Sequence, residues 1–148
     1  MAVDVETEVE IALPRSVVAA YVANPDNAIE WYENVERVEW KAKKKRLGVG
    51  STFVFVGVLL GRRLTYTYRV TEFLPLERLV MRTDDGPFAV ETTYTWQDAA
   101  DGGTRMTLRN RGEPSGLGSR LTAPLMASAL RRATRNDLAR LKDLLEAD

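Results

Sequence analysis

The sequence predicts an α+β fold in which a curved antiparallel sheet wraps around one long C-terminal helix, and three observations carry that prediction. Ala123–Asp148 is the only long stretch with a sustained helical period. Advancing roughly 100° per residue from Met126, Ala123, Ala127, Leu130, Ala133, Thr134, Leu138, Leu141, Leu144 and Leu145 share one face, while Arg131, Arg132, Arg135, Lys142 and Asp143 fall outside it. At 1.5 Å per residue such a helix is about 38 Å long. Its apolar stripe needs a sheet to lie on. The second observation is that Val3, Val5, Thr7, Val9 and Ile11 alternate with Asp4, Glu6, Glu8 and Glu10, as in a strand with one dry face and one wet face. The third is that strand-like segments then follow one another from Val35 to Arg111 over links too short for crossovers.

Taken in order, the first strand ends at Leu13-Pro14, and a short helix over Pro14–Val22 buries Val17, Val18 and Tyr21. Asn24-Pro25-Asp26 is a turn able to cap a second short helix ending near Trp31-Tyr32. Strands are predicted at Val35–Lys41, Thr52–Leu60, Arg62–Phe73, Glu77–Thr83, Phe88–Gln97 and Thr104–Arg111. With the first strand they make seven. Gly61, Pro75, Asp84-Asp85-Gly86-Pro87 and Asp98–Gly103 supply breaks and turns. Gly112–Gly118 holds three glycines in seven residues, but its spacing fits neither GxGxxG nor a P-loop and no lysine is present. It reads as a flexible lead-in to the helix. Within the helix, Pro124 either bends the axis or sits in a first turn capped by Thr122.

Composition removes whole classes of function. The 148 residues fit one domain, 1–148, with no internal repeat, and the 21 basic residues balance 21 acidic ones. A neutral chain has no bulk field for nucleic acid or an anionic membrane. The run Lys41, Lys43, Lys44, Lys45, Arg46 lacks interleaved aromatics and reads as a solvated hairpin tip rather than a nucleic-acid patch. Neither cysteine nor histidine occurs, which excludes disulfides, thiolate nucleophiles, the commonest general base and the soft ligands of zinc, haem and iron–sulfur centres. Asp84-Asp85 reads as a turn rather than a metal site, so no cofactor is expected. No apolar run is long enough to span a bilayer and Met1–Ile11 does not resemble a signal peptide. A cytoplasmic protein is expected.

Alternation also sorts the faces. Phe88, Val90, Thr92, Tyr94 and Trp96 point one way in the sixth strand, as do Thr104, Met106, Leu108 and Asn110 in the seventh and Leu64, Tyr66, Tyr68 and Val70 in the fourth. Large rings therefore gather on the concave side. A curved sheet cannot touch a straight helix along its whole length, and the gap is a natural small-molecule site.

Asn24-Pro25-Asp26-Asn27 with Trp31, Gly48-Val49-Gly50-Ser51, Arg69-Val70-Thr71-Glu72-Phe73-Leu74-Pro75, Gly102-Gly103-Thr104-Arg105-Met106-Thr107 and Asp137-Leu138-Ala139-Arg140-Leu141-Lys142 occur in that order. Together they resemble the polyketide cyclase/dehydrase and lipid-transport group of the START-like (SRPBCC) superfamily, over essentially the whole chain. The resemblance implies a helix-grip (START-like, Bet v 1-like) fold with a deep hydrophobic pocket between sheet and terminal helix. It does not imply one activity, since the fold carries cyclases, lipid carriers, hormone receptors and chaperone activators. Trp31 stands where the family carries a pocket-mouth tryptophan, with Tyr32 beside it. Phe53, Phe55, Tyr66, Tyr68 and Met81 from the middle strands would line the pocket. Phe88, Tyr94, Trp96 and Met106 from the last strands would join them, with Met126 and Leu130 from the helix. Leu121 and Leu125 project away from the main stripe and would form a lid, or else a patch for a homodimer.

The resulting expectation is binding of a hydrophobic small molecule, lipid-like or polyketide-like, without catalysis. One alternative is a polyketide aromatase/cyclase or dehydratase in which Tyr66, Tyr68 and Tyr94 donate hydrogen bonds to carbonyl groups; equally, those tyrosines fill the core with their hydroxyls at the rim. Another is a protein-interaction module resembling the Hsp90-ATPase activators. Asp137, the acid on the apolar face of the terminal helix, reads as an ion pair with Arg140 or Arg111 rather than as a catalytic acid.

Overall fold

The alternating apolar residues pair as their period requires. The computed structural model describes residues 3–41, 47–59, 62–83, 88–114 and 119–147. Strand β1 (Val3–Ile11) is followed by helix α1 (Arg15–Val22), a 3₁₀ turn (Pro25–Asn27) and the four-residue helix α2 (Ala28–Trp31). Strands β2 (Val35–Trp40), β3 (Thr52–Leu59), β4 (Arg62–Leu74), β5 (Arg78–Thr83), β6 (Phe88–Asp98) and β7 (Thr104–Pro114) precede helix α3 (Ser119–Leu145). The seven strands form one antiparallel sheet in the order β1-β7-β6-β5-β4-β3-β2. The expected turns at Gly61 and Asp84–Pro87, the basic run at 42–46 and the link at 115–118 lie outside the described residues.

Two elements extend beyond their sequence limits. Gly112, Glu113 and Pro114 are the end of β7, opposite Val90, Ala89 and Phe88. Proline at a strand end forfeits little pairing. Helix α3 starts at Ser119, so Pro124 lies inside it rather than in a first turn capped by Thr122. On α1 the buried face is Val18, Ala19 and Val22, whereas Val17, expected inside, is 45% exposed.

Two register breaks, between Val35 and Arg37 and between Val70 and Glu72, bend the sheet. At the first, the backbone of Asn34 crosses so close to Gly57 that a Cβ there would stand 1.6 Å from the Asn34 carbonyl oxygen. Only glycine fits. Against the concave face α3 buries Thr134, Asp137, Leu138 and Leu141, whereas Leu144, expected on the stripe, is 43% exposed at its margin. Ala127 and Leu130 pack on Val3 and Val5 as a separate small cluster. The end of α3 is tied to the first strand by Lys142 Nζ on the Glu10 carbonyl (2.7 Å) and by the Ala12 N–H on Glu146 (2.8 Å).

Candidate functional site

Helix α2 is too short to be stable alone and is held by its neighbours. Asn24 Oδ1 accepts the Asp26 N–H (3.1 Å) and caps the 3₁₀ turn rather than α2, Asn27 Nδ2 donates to the Tyr21 carbonyl (2.9 Å), and the Tyr21 hydroxyl bonds the Glu30 carboxylate. This frame buries Trp31, and the extended backbone of Tyr32 (φ −84°, ψ 121°) turns the next side chain toward the sheet. There the Tyr32 and Tyr94 hydroxyls lie 2.5 Å apart.

Around that pair is a ring cluster. Trp31 stands 4.1 Å from Tyr32 and 6.0 Å from Tyr94 between centroids, Tyr32 6.2 Å from Phe55, and Phe55 5.2 Å from both Phe53 and Tyr68. Trp31, Tyr32, Phe53, Phe55 and Tyr94 border a small cavity of about 10 Å³. That is room for about one water. Burial pushes both phenols upward; for Tyr32 the neighbouring Tyr94, Tyr68 and Asp137 add to the effect. They are hydrogen-bond donors, not bases.

Asp137 reaches the back of this wall from α3. Its Oδ1 accepts the Glu33 N–H at 3.1 Å, and the residue is only 5% exposed. Burial pushes its carboxyl up to about 6, against the pull of the Glu33 N–H and of Arg140. The expected ion pair is therefore replaced by a backbone amide bond, with Arg140 acting at longer range; Arg111 instead faces Glu91 at 3.8 Å. A buried polar pair, Thr92 Oγ1 donating to Asn110 Oδ1 at 2.6 Å, occupies the concave face further along β6 and β7.

Of the residues expected to line a pocket, Trp31, Tyr32, Phe53, Phe55, Met81 and Tyr94 surround this cavity. Tyr68 packs beside Phe53 and Phe55, and Tyr66 is half-buried opposite Phe55. Trp96 (2% exposed) and Met106 (0%) belong to the packed core and do not line the cavity. Trp96 Nε1 is buried with no hydrogen-bond partner among the described residues. Leu130 sits in the separate cluster on Val3 and Val5, and Leu125 is 73% exposed. The side chains of Phe88, Leu121 and Met126 lie outside the described residues. The cavity walls missed by sequence reasoning come from the short helices: Val22, Ala23, Pro25 and Ala28, with Leu79 from β5. A few helical residues give no period to read. This cavity lies between the sheet and the short helices.

No described helix is long and apolar enough to cross a membrane, and no group of three or more acidic residues among those described could hold a metal ion.

A seven-stranded antiparallel sheet closed over a long terminal helix, with two short helices after β1 and rings on the concave face, defines a helix-grip protein. Residues 2–146 match the family model described as polyketide cyclase / dehydrase and lipid transport, and the chain belongs to that family. Its fold is similar to that of the Zhui aromatase/cyclase from Streptomyces sp. R1128 (TM-score 0.82, 16% identity, 99% of this chain and 94% of that one). It is also similar to TTHA0849 from Thermus thermophilus (TM-score 0.80, 20% identity, 95% and 94%). The di-domain aromatase/cyclase BexL of the BE-7585A biosynthetic pathway matches over 97% of this chain and 46% of its own, with TM-score 0.77 and 16% identity. No curated protein matches the chain.

Proposed function

We propose that this protein binds a hydrophobic small molecule bearing a carbonyl oxygen, lipid-like or polyketide-like, on the concave face before Tyr32 and Tyr94, and that it does so without converting it. The observation that carries the reading is the hydroxyl pair set in an otherwise apolar wall. One hydroxyl donates to the other, which leaves one proton to donate to a ligand oxygen. The cavity accepts one oxygen-sized atom, the carbonyl oxygen, so the body of the ligand must enter past the four-residue helix that ends at Trp31. Aromatase/cyclases among the structural neighbours support a polyketide-like class.

Asp137 favours a second reading, a cyclase or dehydratase, because a carboxyl near 6 can exchange protons at neutral pH. Against it, Asp137 does not line the cavity and its carboxylate is held by the Glu33 N–H. The test is a mass-spectrometric inventory of molecules retained by the purified protein, joined to NMR of the Trp31 indole N–H during titration with aromatic ketones and fatty acids. A retained apolar carbonyl compound that moves the Trp31 signal supports binding. No retained molecule and an unmoved Trp31 signal overturn it, and turnover lost in Asp137→Asn replaces it with the enzyme.

A further inference from the structure

A second cavity, about 330 Å³, opens beside the first, at the end of the sheet away from the link between β7 and α3. The position follows from register. Trp40 closes β2, and Phe73 lies where β4 turns into β5, the end at which Ile11 pairs with Thr104; the link after β7 is at the opposite end, where Val3 pairs with Gly112. Ala23 and Pro25 are walls of both cavities, so one backbone segment separates them. This groove has the volume that the tyrosine cavity lacks, at the low end of the roughly 300–1,000 Å³ common for small-molecule sites.

Its walls are held in place before any ligand arrives. Trp40 donates its indole N–H to Asp26 Oδ1 (2.8 Å) and packs on Phe53 (5.8 Å), so the ring cannot swing away. Phe73 packs against the main core and Leu47 completes the apolar lining. The polar groups of the lining are Asn24 and Asp26. Asn24 turns its Oδ1 to the Asp26 N–H, and its Nδ2 donors meet no acceptor among the described residues. No lysine or arginine is among the described lining residues, and Asp26 Oδ1 is taken up by the Trp40 indole N–H. Two fixed aromatic walls and one amide donor suit a flat uncharged ring system with an acceptor, at little ordering cost.

We propose that this groove is a second small-molecule site, taking a neutral, flat, two-ring aromatic molecule whose carbonyl oxygen accepts from Asn24 Nδ2. It is independent of the tyrosine site. Prodan, a neutral naphthalene ketone whose emission moves to the blue in apolar surroundings, is the probe. It is titrated into the full chain while the indole N–H signals of Trp31, Trp40 and Trp96 are followed by NMR. The expected result is a saturable shift of the Trp40 signal with a blue-shifted emission. Ala20→Phe, made at an exposed lining residue of α1, should remove both at an unchanged melting temperature. Asn24→Asp keeps the cap on Asp26 but removes the donor, and should weaken binding about 3–10-fold, the worth of one hydrogen bond. A Trp40 signal that never moves, or one that moves with parental affinity in both variants, overturns the groove. A probe that shifts Trp31 alone also overturns it, while leaving the tyrosine site standing.

Discussion

The Tyr32 and Tyr94 hydroxyls, 62 residues apart in sequence, meet at 2.5 Å across the space between α2 and the sheet. Each hydroxyl has the other as its partner, and Tyr94 is 2% exposed. Removing one hydroxyl leaves a buried polar atom without that partner; removing both does not. Tyr32→Phe should therefore cost about 1–3 kcal/mol, and Tyr32→Phe with Tyr94→Phe together less than the sum of the single changes. Urea unfolding of the four proteins in the cycle measures the coupling. Strict additivity would show that the hydroxyls do not depend on each other.

Asp137 sets a pH dependence with a definite sign. Its folded carboxyl titrates at about 6, above the ordinary 3.8, so between those values the native state holds more protons than the unfolded chain. The stability contributed by the neutral form is present below the unfolded value and is lost as pH rises toward 6. Asp137→Asn keeps an oxygen for the Glu33 N–H while remaining neutral. It should flatten the profile between pH 4 and pH 7 and stabilise the protein at pH 8 by roughly 1–3 kcal/mol. Chemical denaturation at pH 5 and pH 8 reads both; a variant less stable than the parent at pH 8 would refute the buried-carboxylate account.

Gly57→Ala places a methyl group 1.6 Å from the Asn34 oxygen and 2.8 Å from its carbon, both backbone atoms. Either β3 or the α2–β2 connection must move. The expected cost is about 3 kcal/mol or more, a fall in melting temperature of roughly 6–12 °C for a chain of this size. The same displacement should perturb the Tyr32–Tyr94 contact, visible as a changed near-ultraviolet circular dichroism. A variant with parental melting would mean that this backbone approach is looser than it looks.

The stripe of α3 should answer unevenly to truncation. Leu141, fully buried, should lose about 2–5 kcal/mol as Leu141→Ala, whereas Leu144, 43% exposed, should lose less than about 1 kcal/mol as Leu144→Ala. Thermal unfolding of the two variants compares them directly. Equal losses would mean that the stripe is centred one turn further on.

The sequence alone determined the order of elements and the faces of the strands, because a period of two written over nine residues, as in Val3–Ile11, admits one strand and one buried side. It also determined that Leu138 and Leu141 face the sheet, since a helix of many turns repeats its signal, and that no cysteine or histidine chemistry is present. Tertiary structure decided what depends on distance between remote residues. The Tyr32–Tyr94 contact, the bond from the Glu33 N–H to Asp137 across 104 positions, and the approach of Asn34 to Gly57 have no local signature. It also decided where space remains. Whether facing side chains interlock or leave a gap is fixed by sheet curvature and by the placement of two helices too short to carry a period. For that reason the sequence placed the rings on the concave face, while only the fold showed Val22, Ala23, Pro25 and Ala28 beside them and a larger groove at Trp40.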